Sequence, residues 1–94
     1  MKEIFNKTFS ELTTPDLLEI RGIGESPITP TRLSALWSVV NYRYENMLPT
    51  VTYTDKKPFE LCKALSCGAE WETLAYAVAG RLWDMGTAAV EATN

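Results

Sequence analysis

Five prolines and five glycines divide this chain of 94 residues into short segments, and their positions limit which segments can be helical. Proline lacks a backbone N–H, so it is accepted in the first turn of a helix but not in its interior, whereas glycine often ends a helix. Thr14-Pro15 and Thr29-Pro30 each predict a helix start with threonine as the N-cap. The length supports one domain over residues 1–94.

The spacing of apolar residues between these breaks predicts an all-α fold of four to five helices. Apolar side chains recur every three or four positions, which is typical of amphipathic helices. Residues 49–56 differ, and we expect an irregular or short extended segment there, since a lone strand would have nothing to pair with. Residues 87–92 are expected to add a frayed helical turn. The predicted helices cover about 2–12, 15–21, 30–47, 57–67 and 69–85.

The two longest predicted helices carry apolar residues on a second face as well as on the face expected in the core. Helix 69–85 carries Tyr76, Ala79, Gly80 and Trp83, which we call the Trp83 strip. Helix 30–47 carries Ala35, Val39 and Tyr42, which we call the Tyr42 strip. One apolar stripe is enough for a helix in a two-layer domain. A second strip therefore indicates either burial on both sides or a surface open to a partner.

The chain contains no histidine, and this disfavours an enzyme. Histidine is the usual general base, the partner of nucleophilic serine and cysteine, and the commonest nitrogen ligand of metals. Glu70 and Glu72 would diverge on a helix, so they do not suggest an acid–base pair. We expect a protein that is not an enzyme and that uses no cofactor.

The two cysteines, Cys62 and Cys67, do not suggest a disulfide within the chain or a zinc site. On one helix they would point about 140° apart, which disfavours an intrachain bond. Two thiols without histidine cannot supply four zinc ligands. We expect both to be reduced and partly buried, with no metal; an interchain disulfide or a metal shared by a dimer is the alternative.

These observations favour a small non-enzymatic protein-binding module, an adaptor, modulator or inhibitor whose partner is another protein or a second copy of this chain. Aromatic residues beside small ones form a surface that is easily desolvated and that carries binding energy at interfaces. The predicted partner-binding residues are those of the Trp83 strip, followed by Val39 and Tyr42. Phages and other mobile elements encode many small proteins of this kind, which is an association only.

Residues Leu17–Gly24, Leu-Leu-Glu-Ile-Arg-Gly-Ile-Gly, resemble the helix-hairpin-helix element, which binds the backbone of nucleic acids. Glycines there let backbone N–H groups approach a phosphate, and the next helix presents its positive end. The resemblance implies an alternative function, a helical nucleic-acid-binding module that uses Arg21, Gly22, Gly24 and Arg32.

The charge distribution disfavours nucleic acid and membranes as partners. Nine Lys and Arg residues stand against twelve Asp and Glu residues, which leaves a net charge of −3. Neither half of the chain has the basic excess that binds phosphates or anionic lipids. The sequence shows no secretory leader and no apolar run long enough for a membrane span, so we expect a soluble, cytoplasmic protein.

Overall fold

The computed structural model of the chain describes residues 7–25, 27–85 and 87–89. These ranges contain four α-helices, one short 3₁₀ helix and three β-strands. In chain order the elements are α1 (Phe9–Thr13), β1 (Leu18–Arg21), α2 (Pro30–Glu45), β2 (Thr50–Thr54), α3 (Pro58–Leu65), the 3₁₀ helix (Ala69–Trp71), α4 (Glu72–Met85) and β3 (Thr87–Ala89).

The three strands form one parallel sheet in the order β1-β2-β3, so the predicted all-α fold class is wrong. β2 lies in the centre and pairs with β1 on one side and β3 on the other. Parallel neighbours cannot be joined by a tight hairpin and need a long crossover connection. Here α2 lies between β1 and β2 in the chain, and α3 and α4 lie between β2 and β3. The protein therefore combines α and β structure.

The predicted helix 15–21 is absent, because the chain bends at residues 14–17 and Leu18–Arg21 then form β1. The alternation of apolar and charged side chains over these four residues suits a strand, and Ile20 is buried. The threonine-proline signal at Thr14-Pro15 is local. It is outweighed here by pairing with β2, which lies far along the chain.

Residues 49–56 are extended as predicted, but the expectation that they would have nothing to pair with is wrong. Thr50–Thr54 form the central strand β2. Its three threonines occupy alternate positions, and all three are buried. Branching at Cβ suits threonine to a pleated, half-buried surface. Thr87–Ala89 are a strand and not a helical turn. The rest of the predicted turn 87–92 lies outside the described residues.

Three predicted helices are confirmed, with small differences at their ends. Helix 30–47 is α2, and Thr29 caps it by accepting the backbone N–H of Arg32 at 3.3 Å. Helix 57–67 is α3. Helix 69–85 is divided into the 3₁₀ helix and α4.

Helix 2–12 is confirmed only at its C-terminal end, as α1. Residues 2–6 lie outside the described ranges, and Lys7 and Thr8 are not helical, because the helix begins after Thr8. Thr8 and Glu11 form a capping box at the start of α1. The Thr8 hydroxyl accepts the N–H of Glu11 at 3.1 Å, and the Glu11 carboxylate accepts the N–H of Thr8 at 3.0 Å. These bonds satisfy N–H groups that a helix start leaves without partners.

The hydrophobic core lies between α2, α3, α4 and the buried face of the sheet. Its buried residues are Ile20, Ile23, Ile28, Leu33, Leu36, Val40, Leu61, Leu65, Ala75, Val78, Ala79 and Leu82. The radius of gyration is 12.2 Å, close to the value of about 12 Å for a compact domain of this length. Within the described ranges, none of the helices has both the length and the apolar character needed to cross a bilayer.

Arg43 is fully buried and joins α2 to the segments that flank it. Its guanidinium donates to the carbonyl oxygens of Leu12 at 3.1 Å, Pro15 at 3.0 Å and Pro49 at 2.8 Å. It also donates to Thr50 Oγ1 at 2.8 Å. Burial lowers the pKa of Arg43 from its ordinary value, but arginine stays charged in proteins. Arg43 therefore satisfies carbonyl groups near the end of α1 and in the irregular segments before β1 and β2, which is a structural role.

Candidate functional site

A groove of about 310 Å³ lies between α3 and α4 and contains all four residues of the Trp83 strip. Its volume is at the small end of the range for ligand pockets, roughly 300–1,000 Å³. We call it the α3/α4 groove. It is lined by Pro58, Phe59 and Cys62 of α3 and by Tyr76, Ala79, Gly80, Trp83 and Asp84 of α4.

The aromatic residues at the sides of the α3/α4 groove are largely exposed. Phe59 is 69% exposed and Tyr76 is 70% exposed, whereas Ala79, which also lines the groove, is buried. Trp83 is half-buried and packs against the hydrophobic core. The sequence left open whether the Trp83 strip is internal. In the described structure, the strip has a buried part and a surface part, and the same groove is lined by another exposed aromatic residue, Phe59.

Gly80 is exposed in the interior of α4, and nothing in the described structure packs closely against it. A Cβ atom built there would have no neighbouring heavy atom within 4 Å. Glycine inside a helix destabilises it by about 1 kcal/mol relative to alanine. Close packing against a second element often explains such a glycine, but that explanation does not apply here. Gly80 keeps the groove open at the cost of helix stability.

The indole N–H of Trp83 is buried and has no hydrogen-bond acceptor among the described residues. Thr52 Oγ1 is the other buried side-chain atom in these ranges without a partner. An unsatisfied buried donor costs about 1–3 kcal/mol. Gly80 and Trp83, three positions apart on α4, therefore both lower the stability of the unbound protein.

Asp84 is the charged residue that lines the α3/α4 groove, and its position is unfavourable for a carboxylate. It lies in the last turn of α4, which contains no basic residue. The C-terminal end of a helix carries partial negative charge, which disfavours an acidic side chain by about 0.3–1 kcal/mol. Arg81 does not offset this charge, because its guanidinium lies 4.1 Å from the centre of the Tyr44 ring on α2.

Cys62 lines the α3/α4 groove. Cys62 and Cys67 are both half-buried, as predicted. Burial raises the pKa of the Cys62 thiol, and the negative charge of Glu72 raises it further. The thiolate is the nucleophilic and metal-binding form of cysteine, and the raised pKa disfavours it. Within the described ranges no three His, Cys, Asp or Glu side chains come together to hold a metal ion.

The Tyr42 strip does not line the α3/α4 groove, and α1 packs against α2 beside it. Ala35 is exposed, and Ala35 and Val39 line a separate groove of about 290 Å³ together with Phe9 of α1. Val39 is buried, and Tyr42 is 42% exposed. The ring of Phe9 on α1 meets the ring of Tyr42 edge-on, with 5.4 Å between their centres. Two predicted partner-binding residues, Val39 and Tyr42, are thus contacted or covered by an element of the same chain.

The turn at Gly22-Ile23-Gly24 follows a strand, so the helix-hairpin-helix geometry is absent. Gly22 and Gly24 have φ values of 75° and 81°, which glycine adopts readily. Ile23 is buried in the core. A Cβ atom at Gly24 would lie 3.2 Å from Cβ of Ala64 on α3. The glycines therefore serve a turn that packs against α3.

The two arginines of the predicted nucleic-acid site lie in different elements. Arg21 is at the end of β1, where its guanidinium stacks over the Tyr53 ring at 4.0 Å and lies 3.8 Å from Glu19. Arg32 is exposed in the first turn of α2. The Tyr53 hydroxyl donates to Glu19 at 2.7 Å, and this bond raises the pKa of Tyr53. Arg21 thus belongs to a small polar cluster on the exposed face of the sheet.

Sequence reasoning missed the residues that α3 and the end of α4 contribute to the groove, namely Pro58, Phe59, Cys62 and Asp84. One signal pointed to Phe59. On helix 57–67, Leu61 and Leu65 define the buried face, and Phe59 lies about 200° from Leu61 around the axis. An aromatic residue opposite the core stripe is the same kind of second apolar face that identified the Trp83 strip.

Comparison with protein-family models, with curated proteins and with solved structures finds no match to this chain.

Proposed function

We propose that this protein is a non-enzymatic protein-binding module that holds an apolar segment of a partner protein in the α3/α4 groove. The observation that carries the proposal is Gly80, a helix-interior glycine with open space above it, in a groove that is also lined by two exposed aromatic side chains, Phe59 and Tyr76. A partner backbone passing over Gly80 would make use of that space. Such a module acts as an adaptor, a modulator or an inhibitor of its partner, and we place it in the cytoplasm.

The exposed aromatic residues supply the driving force for this binding. Fully burying a side chain such as Phe59 contributes about 1.5–3 kcal/mol, and buried aromatic residues commonly dominate the energy of an interface. Phe59 of α3 and Tyr76 of α4 line the same groove. One inserted segment could therefore bury both at once.

Replacing Gly80 with leucine tests the proposal, because the new side chain would fill the groove. Thr73→Leu is the matched control, since Thr73 is exposed on the same helix but does not line the groove. Both variants gain the same side chain and a better helix former. We expect Gly80→Leu to lose a partner that the wild-type protein and Thr73→Leu both retain in affinity capture, with circular dichroism unchanged in all three.

Retention of that partner by Gly80→Leu would contradict the proposal. Sedimentation of the same three proteins shows whether the partner is a second copy of the chain, because self-association would then fail only in Gly80→Leu. Trp83 is a poorer position for this test, because it packs against the core and its replacement would also perturb folding.

A further inference from the structure

We infer that the segment bound in the α3/α4 groove carries a lysine or arginine that pairs with Asp84. This inference rests on the proposed function and specifies the chemistry of the partner. It starts from three residues at one end of the groove, Gly80, Trp83 and Asp84, which lie within about one turn of α4. Each lowers the stability of the unbound protein. Gly80 is a glycine inside a helix, the Trp83 indole N–H has no acceptor among the described residues, and the last turn of α4 has no basic residue beside Asp84.

Asp84 has no cationic partner in the described part of the chain. It is exposed, and no ion pair or hydrogen bond joins it to a described residue. Its nearest basic neighbour in the sequence, Arg81, stacks on Tyr44 at 4.1 Å and approaches Trp37 at 5.7 Å. Both aromatic residues belong to α2, so this cation serves the α2–α4 contact and leaves Asp84 available.

The first turn of α3 does not neutralise Asp84 either. Its backbone N–H groups would favour a nearby anion, but Glu60 already lies at this end. The Glu60 carboxylate accepts the backbone N–H of Lys57 at 3.0 Å. Lys63, further along α3, lies over the Phe59 ring at 5.3 Å. Lys57, the exposed residue before Pro58, forms no ion pair with Asp84 among the described residues. Asp84 therefore contributes an unpaired carboxylate to the lining of the groove.

The complement of this surface is a segment with apolar residues and one basic residue. The apolar side chains contact Phe59 and Tyr76, and the backbone passes over Gly80. A lysine or arginine at the end of the segment pairs with the carboxylate of Asp84. The net charge of −3 attracts such a segment to the protein at low salt.

The test is a selection of random displayed peptides on four immobilised proteins, namely wild type, Gly80→Leu, Asp84→Lys and Glu70→Lys. Glu70→Lys is the matched control, because it makes the same change of charge at an exposed position that does not line the groove. We expect wild type and Glu70→Lys to select apolar peptides with a lysine or arginine. Asp84→Lys should instead select peptides with aspartate or glutamate, and Gly80→Leu should select none of these.

Synthetic versions of the selected peptides then give the size of the effect. Asp84→Lys should weaken binding of a basic peptide about tenfold, and exchanging the basic residue of the peptide for glutamate should restore it. Affinity for wild type should fall as salt rises, because the pair is exposed.

The outcomes separate failure of this inference from failure of the proposed function. Peptides that depend on Gly80 but show no basic residue would overturn the inference and leave the groove as a binding site. An equal loss of affinity in Asp84→Lys and Glu70→Lys would overturn it too, since the charge effect would be general. Selection that is unaffected by Gly80→Leu would contradict the proposed function itself.

Discussion

The Tyr42 strip on α2 and the Trp83 strip on α4 differ in what covers them. α1 packs beside the Tyr42 strip, where Phe9 meets the Tyr42 ring and Val39 is buried. Beside the Trp83 strip, α3 leaves a groove in which Tyr76 remains 70% exposed. The first strip is therefore partly used in internal packing, although Ala35 and Tyr42 stay exposed and a groove of about 290 Å³ lies beside Ala35 and Val39. The second strip carries the more exposed aromatic residue. Two similar patterns can thus have different roles, depending on whether a neighbouring element covers them.

The largest expected effect concerns Arg43, which supports the region around the Tyr42 strip. Replacing it with methionine should lower the free energy of unfolding by about 3–5 kcal/mol, because buried carbonyl groups would lose their donors. Urea unfolding measures this change. The control is Arg21→Met at an exposed arginine, where the loss should stay below about 1 kcal/mol. Equal losses in the two variants would show that the buried hydrogen bonds of Arg43 contribute no more stability than the exposed contacts of Arg21.

A direct comparison of the two strips comes from truncating one side chain in each. Val39→Ala should lower the free energy of unfolding by about 2 kcal/mol, because Val39 is buried and its methyl groups leave a cavity. Tyr76→Ala should change it by less than about 0.5 kcal/mol, because most of the ring is exposed. Thermal or urea unfolding of the two variants and the wild type measures both changes. A large loss in Tyr76→Ala would mean that the Trp83 strip also supports the fold.

Gly80→Ala should stabilise the protein by about 1 kcal/mol, because alanine is the better helix former and nothing lies within 4 Å of the new methyl group. For a domain of this size that gain raises Tm by about 4–8 °C. Gly68→Ala is the contrasting change, because its φ of 139° is one that alanine rarely adopts, and it should destabilise the protein. A lower Tm for Gly80→Ala would mean that packing requires the glycine.

The smallest expected effect is a pH dependence at the start of α1. Hydrogen bonding to the backbone of Thr8 lowers the pKa of Glu11, so the ionised carboxylate stabilises the folded state. The contribution is fully present above the ordinary pKa of glutamate and is lost as pH falls through the lowered value. Glu11→Gln should therefore be less stable than wild type at neutral pH, and the difference should vanish in acid. A constant difference across this range would contradict the capping role.

The helices could be predicted because their signals are local. Thr29 caps α2 and Pro30 opens it, and both features lie within one turn of the helix start. Strand β1 could not be predicted in this way. It has four residues, and its pairing partner β2 begins at Thr50. Strand pairing depends on contacts between residues far apart in the sequence, so the local signals of a helix start at Thr14-Pro15 pointed to the wrong structure.

The candidate site was predicted in part for the same reason. The four residues of the Trp83 strip lie on one helix face, so their proximity follows from helical spacing alone. Phe59, which lines the groove together with Tyr76, belongs to another helix. Only the packing of α3 against α4 brings the two aromatic residues to one site.

The sequence by itself determined the positions of α2, α3 and α4, the absence of histidine and the second apolar faces of the long helices. Those properties depend on residue type and on spacing within a few turns. The tertiary structure decided that three short segments form a parallel sheet, that α1 packs beside the Tyr42 strip and that the Trp83 strip lines an open groove. These outcomes depend on which distant segments pack together, because burial and strand pairing join residues that the sequence keeps apart.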